Sequence, residues 1–159
     1  MGCMAKEFAS FYRDSRDSVF RAVVATIGST AEAEDVVAEA YARAFANWSS
    51  VVRHPKPEAW VVVTALNYQR SMWRRLRRLV PIGDHEPESP AVPDPAGPTI
   101  SAVYALPRRQ RQAIALCVLL ELDSEEAGEA LGIAASTVRV HLHRGLETLR
   151  NRLNEGAQS

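Results

Sequence analysis

One stretch leaves this chain the fewest options for folding. Residues 124–152 read SEEAGEALGIAASTVRVHLHRGLETLRNR. The pattern predicts a short helix over Ser124–Leu131, capped by Ser124 and favoured by Glu125 and Glu126 in its first turn. Gly132 stops it, since glycine enters the left-handed region without strain. Ser136 is expected to cap a second helix. There Val138, Leu142, Leu146, Leu149 and Leu153 recur at helical spacing and make one apolar stripe. Gly128 falls one turn before Gly132, where two crossing helices would touch. The front of the second helix carries Arg139, Val140, His143 and Arg144. A helix with its back in a core and arginines on its front suits the major groove: Arg pairs with guanine edges or phosphates, and Val meets a thymine methyl. The competing account is an amphipathic surface helix, and the glycine turn between two capped helices weighs against it.

Taken as a total, charge opposes a nucleic-acid reading, because the 159 residues hold 19 basic and 19 acidic side chains. The charges are segregated, however. Arg70, Arg74, Arg75, Arg77 and Arg78 form one basic block, Arg108, Arg109 and Arg111 a second, and Arg139, Arg144, Arg150 and Arg152 a third. Acids gather at 32–39, 84–94 and 121–129. Local basic faces govern DNA contact more than the total does. Cys3 and Cys117 offer neither a disulfide framework nor zinc spacing, and Cys117, in an apolar run, is expected to be a buried free thiol. No stretch is long enough to span a membrane, no signal peptide is evident, and Met1-Gly2-Cys3 lacks the Ser or Thr of a myristoylation signal. A cytoplasmic location without membrane insertion is the expectation.

From the start, residues 5–27 place Phe8, Phe11, Tyr12, Val19, Phe20, Val23, Val24 and Ile27 at helical period, with Gly28 ending the run. Ser29 and Glu32 form a capping-box pair. The next helix carries the stripe Val36, Val37, Ala40, Tyr41, Ala44, Phe45 and Trp48. Asp35, Glu39 and Arg43 share another face, either a docking face for a basic partner or simply solvated. Residues 47–56 read as a loop ending in His54-Pro55-Lys56-Pro57. The run Trp60-Val61-Val62-Val63-Thr64 favours strand by propensity. A helix over 58–79 is still expected, because no other stretch supplies a partner strand. Tyr68 and Trp73, interleaved with Asn67 and the arginines, can stack on and hydrogen-bond to unpaired bases; core aromatics beside a solvated basic face are the alternative. Residues 81–98 are rich in Pro and acid and cannot build a core. Extended at ~3 Å per residue they would span on the order of 50 Å, more than one duplex turn of ~34 Å. A short helix over 99–106 follows, then one opened by Pro107 over 108–120 with Ile114, Cys117 and Val118 inward. Residues 156–159 are expected to fray. His141 and His143, two apart, cannot chelate one metal. No cofactor, no metal and no catalytic activity are expected.

These pieces resemble the sigma-70 family of bacterial RNA polymerase, and within it the extracytoplasmic-function (ECF) group. AEDVVAEAYARAF (33–45) is similar to the region-two helix that binds the beta-prime clamp. EAWVVVTALNYQRSMWRRLRR (58–78) is similar to the part that opens and reads the −10 element. LPRRQRQAIAL (106–116) resembles the start of region four, and 124–150 its −35-reading helix-turn-helix. The resemblance implies an all-α chain of two small helical domains, 5–80 and 99–154, joined by a Pro-rich linker. It implies core-polymerase contacts at Asp35, Glu39 and Arg43. It implies −10 contacts at Asn67, Tyr68, Arg70, Trp73, Arg74, Arg75, Arg77 and Arg78, with Asn67 on a helix-to-loop junction holding a flipped base. It implies −35 contacts at Ser136, Thr137, Arg139, Val140, His143 and Arg144. Its partners would be core polymerase through beta-prime clamp and beta flap, promoter DNA, and in some members an anti-sigma factor. The chain departs from the family with Ala38 for the usual Gln, Val140 for a polar residue, His141 for Arg and Cys117 where some members use Arg. A stand-alone regulator with a LuxR-type recognition helix is the alternative, although such proteins usually carry an α/β receiver.

Overall fold

Gly28 and Gly132 both adopt left-handed backbone, at φ 85° and 69°, and each closes a helix. The computed structural model describes residues 2–79 and 102–158; the expected linker 81–98 and the start of the expected helix over 99–106 lie outside them. Helix α1 is Gly2–Ile27, α2 Thr30–Ala46, α3 Trp48–Val51 and α4 Pro57–Leu79. Residues 102–104 are helical. Helix α5 is Arg108–Ile114, continued by a π-helical turn Ala115–Leu119; α6 is Ser124–Leu131 and α7 Ala135–Ala157. No strand occurs among the described residues. The β-branched run 60–64 is helical because its burial on α1 and α2 outweighs propensity: Val61 and Val62 are fully buried.

Helices α1, α2 and α4 form a bundle in which alanines let backbones approach. Ala22, Ala33, Ala40, Ala44 and Ala65 are fully buried beside Val19, Val23 and Val36. At one end Phe8 packs on Phe45 and Trp48 at centroid distances of 5.0 and 5.4 Å. Tyr12 meets Tyr41 edge-on at 4.9 Å. The Tyr41 hydroxyl lies 2.8 Å from Ser15 Oγ, and burial pushes its pKa up to about 12. The stripe of α2 is buried as expected except Phe45, which sits at its edge, 56% exposed. The expected loop over 47–56 contains the extra turn α3, formed because Trp48 and Val51 both have a core to enter.

In the C-terminal part Asp123, not Ser124, caps α6. Its side chain receives Glu126 N–H at 2.8 Å, while Glu126 Oε1 receives Asp123 N–H at 3.3 Å, a complete capping box. Ser136 does not cap α7; the N-cap is Ala134, two residues earlier, and it makes no side-chain cap. A Cβ on Gly128 would lie 2.7 Å from Ile133 O and 3.2 Å from Ala135 N, so the close approach expected there is to the turn and the first residue of α7. Gly145 gives the same closeness to α5, where a Cβ would lie 2.8 Å from Ile114 Cδ1. On α7 Val138 and Leu149 are buried, but Leu146, which lies off that side, and Leu153, beyond the last buried residue, are over a third exposed. Residues 156 and 157, expected to fray, continue α7, although exposed. The π-turn explains a second departure. Its wider winding turns Val118 outward, 51% exposed, whereas Ile114 and Leu116 stay buried. Cys117 is a half-buried free thiol whose pKa is raised by burial and then by the charge of Asp123.

The two parts share one continuous core, from Val19 and Val61 through Leu116 to Val138. Tyr104 donates its hydroxyl to Val24 O at 3.0 Å. Lys56, at the head of α4, reaches Glu121 O at 2.9 Å and Glu126 Oε2 at 3.2 Å. Glu121 holds φ 55°, a conformation unfavourable for a residue with a Cβ, and so turns its carbonyl toward this lysine.

Candidate nucleic-acid interface

Helix α4 carries the first basic face. Pro57 opens the helix, as its fixed φ and missing N–H allow. Asn67 is not at a helix-to-loop junction: α4 continues unbroken to Leu79, because Gln69 and Trp73 extend its packed side two further turns. Asn67 is exposed, and its Oδ1 receives Arg70 Nη2 at 2.9 Å. Arg74, Arg75, Arg77 and Arg78 are exposed in the last turns. Tyr68 and Trp73 are half-buried, each with one side toward α2. Arg43 of α2 lies 4.9 Å from the Tyr68 ring centroid and also bonds Glu39 Oε1 at 3.0 Å. The expected polymerase face is therefore tied to the expected −10 face through one guanidinium. Asp35, one turn before Glu39, is exposed.

Glu32 links the same helices from the other end of α2. Ser29 accepts Glu32 N–H at 3.3 Å, the first half of the expected capping box. The Glu32 carboxylate goes elsewhere: Oε1 receives Gln69 Nε2 at 3.0 Å and Trp73 Nε1 at 3.2 Å. Burial, followed by the like charges of Arg108, Arg109 and Arg74, pushes the Arg70 pKa below the ordinary guanidinium value. The second basic block thus adds to the potential of the first, although Arg108 stands 38 positions after Arg70 in sequence. Arg111, by contrast, is buried and donates to Tyr104 O at 3.0 Å, so it supports the fold rather than the surface.

The second face lies on α7. Ser136, Thr137, Arg139, Val140, His143 and Arg144 are all exposed, and Val138 behind them is fully buried. The front of this helix is free to enter a groove while its back is anchored. Among the described residues no group of three or more His, Cys, Asp or Glu is placed to hold a metal ion. No helix among them is long and apolar enough to cross a membrane.

Residues 11–79 match sigma-70 region 2, and residues 100–149 match sigma-70 region 4. The ECF RNA polymerase sigma factor SigF of Caulobacter vibrioides is 30% identical over 131 residues, covering 79% of this chain and 73% of its own. The chain belongs to the ECF group of the sigma-70 family. It is a transcription-initiation factor that directs promoter-specific transcription. The RNA polymerase sigma-E factor of Streptomyces coelicolor is 28% identical over 153 residues, with 92% of this chain and 86% of that protein covered. The fold is also that of the sigma factor RpoE solved in complex with the anti-sigma factor NepR from Bartonella quintana. That likeness has a TM-score of 0.77 at 22% identity and covers 94% of this chain and 98% of the other. The LuxR-type alternative gains nothing, since the N-terminal half is a helical region 2.

Sequence reasoning missed Gln69 and Lys56 and read Glu32 only as a cap. Gln69 could have been found: it stands four residues before Trp73, on the same side of one helix. Lys56 could not, because its partners Glu121 and Glu126 lie more than sixty positions away.

Proposed function

We propose that the sigma factor acts through three surfaces. Residues 5–80 form the unit that binds core polymerase and the −10 element, 81–98 the connection, and 99–154 the unit that binds the −35 element. Asp35, Glu39 and Arg43 meet the beta-prime clamp, and the region-4 unit meets the beta flap. Asn67, Tyr68, Arg70, Trp73, Arg74, Arg75, Arg77 and Arg78 hold the −10 strand: the arginines run along phosphates, while the aromatics and Asn67 take unpaired bases. Ser136, Thr137, Arg139, Val140, His143 and Arg144 read the −35 duplex.

The observation that carries this reading is the placement of two basic faces on separate helices, α4 with half-buried aromatics among its arginines and α7 without. Zero net charge with confined basic faces gives weak DNA binding alone, as affinity follows the number of phosphates neutralised. Polymerase supplies the remaining contacts. The factor works in the cytoplasm with polymerase and performs no covalent chemistry. An anti-sigma factor that clamps both units would control it; the neighbour RpoE was solved in complex with an anti-sigma factor.

The test is binding to purified core polymerase, followed by transcription in vitro from a promoter library with and without the protein. New start sites sharing −10 and −35 sequences are expected. A protein that ignores core and binds a duplex site alone would overturn the proposal.

A further inference from the structure

Two helices of this chain carry an acid three residues after their N-cap, and the two acids behave differently. In α6 Glu126 returns to the backbone N–H of Asp123 and completes its capping box. In α2 Glu32 leaves its cap and accepts two side-chain N–H groups from α4 on one oxygen, Gln69 at 3.0 Å and Trp73 at 3.2 Å. The donors stand at i and i+4, so both project from one side of α4 toward the start of α2. Gln69 is buried and Trp73 half-buried, which keeps water from replacing the carboxylate freely. An indole held only by apolar packing can turn about its two side-chain torsions. An indole whose N–H is engaged by a partly buried carboxylate keeps one edge inward and presents the other to solvent.

We propose that Glu32 is a positioning residue for promoter opening: through Gln69 and Trp73 it fixes the ring that meets the first unpaired base. The inference rests on the assignment of α4 to the −10 element. Glu32 itself touches no DNA. Its effect is to spare the holoenzyme the cost of orienting the Trp73 ring during strand separation.

The experiment uses holoenzyme reconstituted from the full chain and core polymerase, on a promoter taken from the library with the wild-type protein. Opening is followed by a fluorescent base in the −10 element, on fully duplex template and on one pre-melted over that element. Glu32→Ala should slow opening of the duplex roughly tenfold, the equivalent of one charge-assisted hydrogen bond. On the pre-melted template it should fall within about twofold of wild type, because there the bases are already unpaired. Glu32→Gln keeps a carbonyl acceptor and should restore most of the rate. Trp73→Phe keeps a ring but removes the donor, and should reproduce the defect with Glu32 intact; it also serves if Glu32→Ala fails to fold. The proposal is overturned if Glu32→Ala opens duplex at the wild-type rate, if Trp73→Phe does so, or if the loss is equal on both templates with core affinity also reduced. Failure of the underlying assignment would look different: the wild-type holoenzyme itself would open no promoter at the −10 element.

Discussion

The basic faces of α4 and α7 bear the same kinds of charge but are built in opposite ways. On α4 the side chains of that face are knitted to their neighbours: Trp73 to Glu32, Tyr68 to Arg43, Arg70 to Asn67. On α7 Arg139, His143 and Arg144 make no side-chain hydrogen bond among the described residues; what is rigid there is the helix, pinned by Val138, Gly145 and the capping box of α6. The difference fits the two tasks proposed for these faces. A duplex already displays its base edges, so long flexible arginines need only be delivered to the groove. Unpaired bases must be caught as they leave the stack, and the groups that catch them benefit from being held in place beforehand.

The contrast can be broken most forcefully at Gly128. Gly128→Val would drive a side chain into the backbone at Ile133 and Ala135, which cannot yield as a side-chain tip can. A loss of about 3 kcal/mol is expected, at the upper end for overpacking, read as a lower urea midpoint. Binding of a −35 duplex by the holoenzyme should fall with it, while opening at a promoter lacking a −35 element persists. Equal loss at both elements would mean the shared core carries the strain from α7 to α4.

Next in size is Arg144→Ala, expected to cost about 1–3 kcal/mol of −35 discrimination, or roughly tenfold in promoter-specific transcription. Core affinity should not change, and titration of labelled core checks this. Asp35→Lys sharpens the other side: it should weaken core binding severalfold through charge reversal on an exposed face, more at low salt than at high. Unchanged affinity would mark the acids of α2 as merely solvated.

The smallest effect concerns the support of α7. Hydrogen bonds from Glu126 hold the Asp123 carboxyl below the ordinary carboxylate value. A group lowered on folding stabilises the protein above its unfolded value, and that contribution disappears as the pH falls through the folded one. Asp123→Asn keeps a capping oxygen but cannot titrate. Its melting temperature near neutrality should stay close to wild type, and the slope of stability with pH in the acid range should be shallower. An unchanged acid slope would remove the linkage.

Much of this could be read from order and spacing. The bounds of α6, the stop at Gly132, the exposed front of α7 and the buried stripe of α2 follow from local rules that hold wherever one face of a helix is covered. Errors arose where a short-range rule met a long-range competitor. Ser124 and Ser136 are good caps by type, but Asp123 and Ala134 stand at the positions that packing chose as helix ends. The 58–79 helix was legible although its valines argued for strand, while the outward turn of Val118 was not, since a single π-turn leaves no periodic trace. Arg43 was grouped with the acids of α2 by spacing; its position over Tyr68 required the crossing of α2 and α4.

By itself, then, the sequence determined that the chain is helical, that its two basic faces fall on different helices, and which residues occupy each face. Those are consequences of a 3.6-residue period and of residue types, and both are local. Only the tertiary structure decided how those residues are held. Glu32 became the anchor of Trp73, and Lys56 the tie to Glu121 and Glu126, because packing joined segments 41, 65 and 70 positions apart, respectively for Trp73, Glu121 and Glu126. A hydrogen-bond donor has no preference for a distant acceptor until burial removes the water that would otherwise serve both.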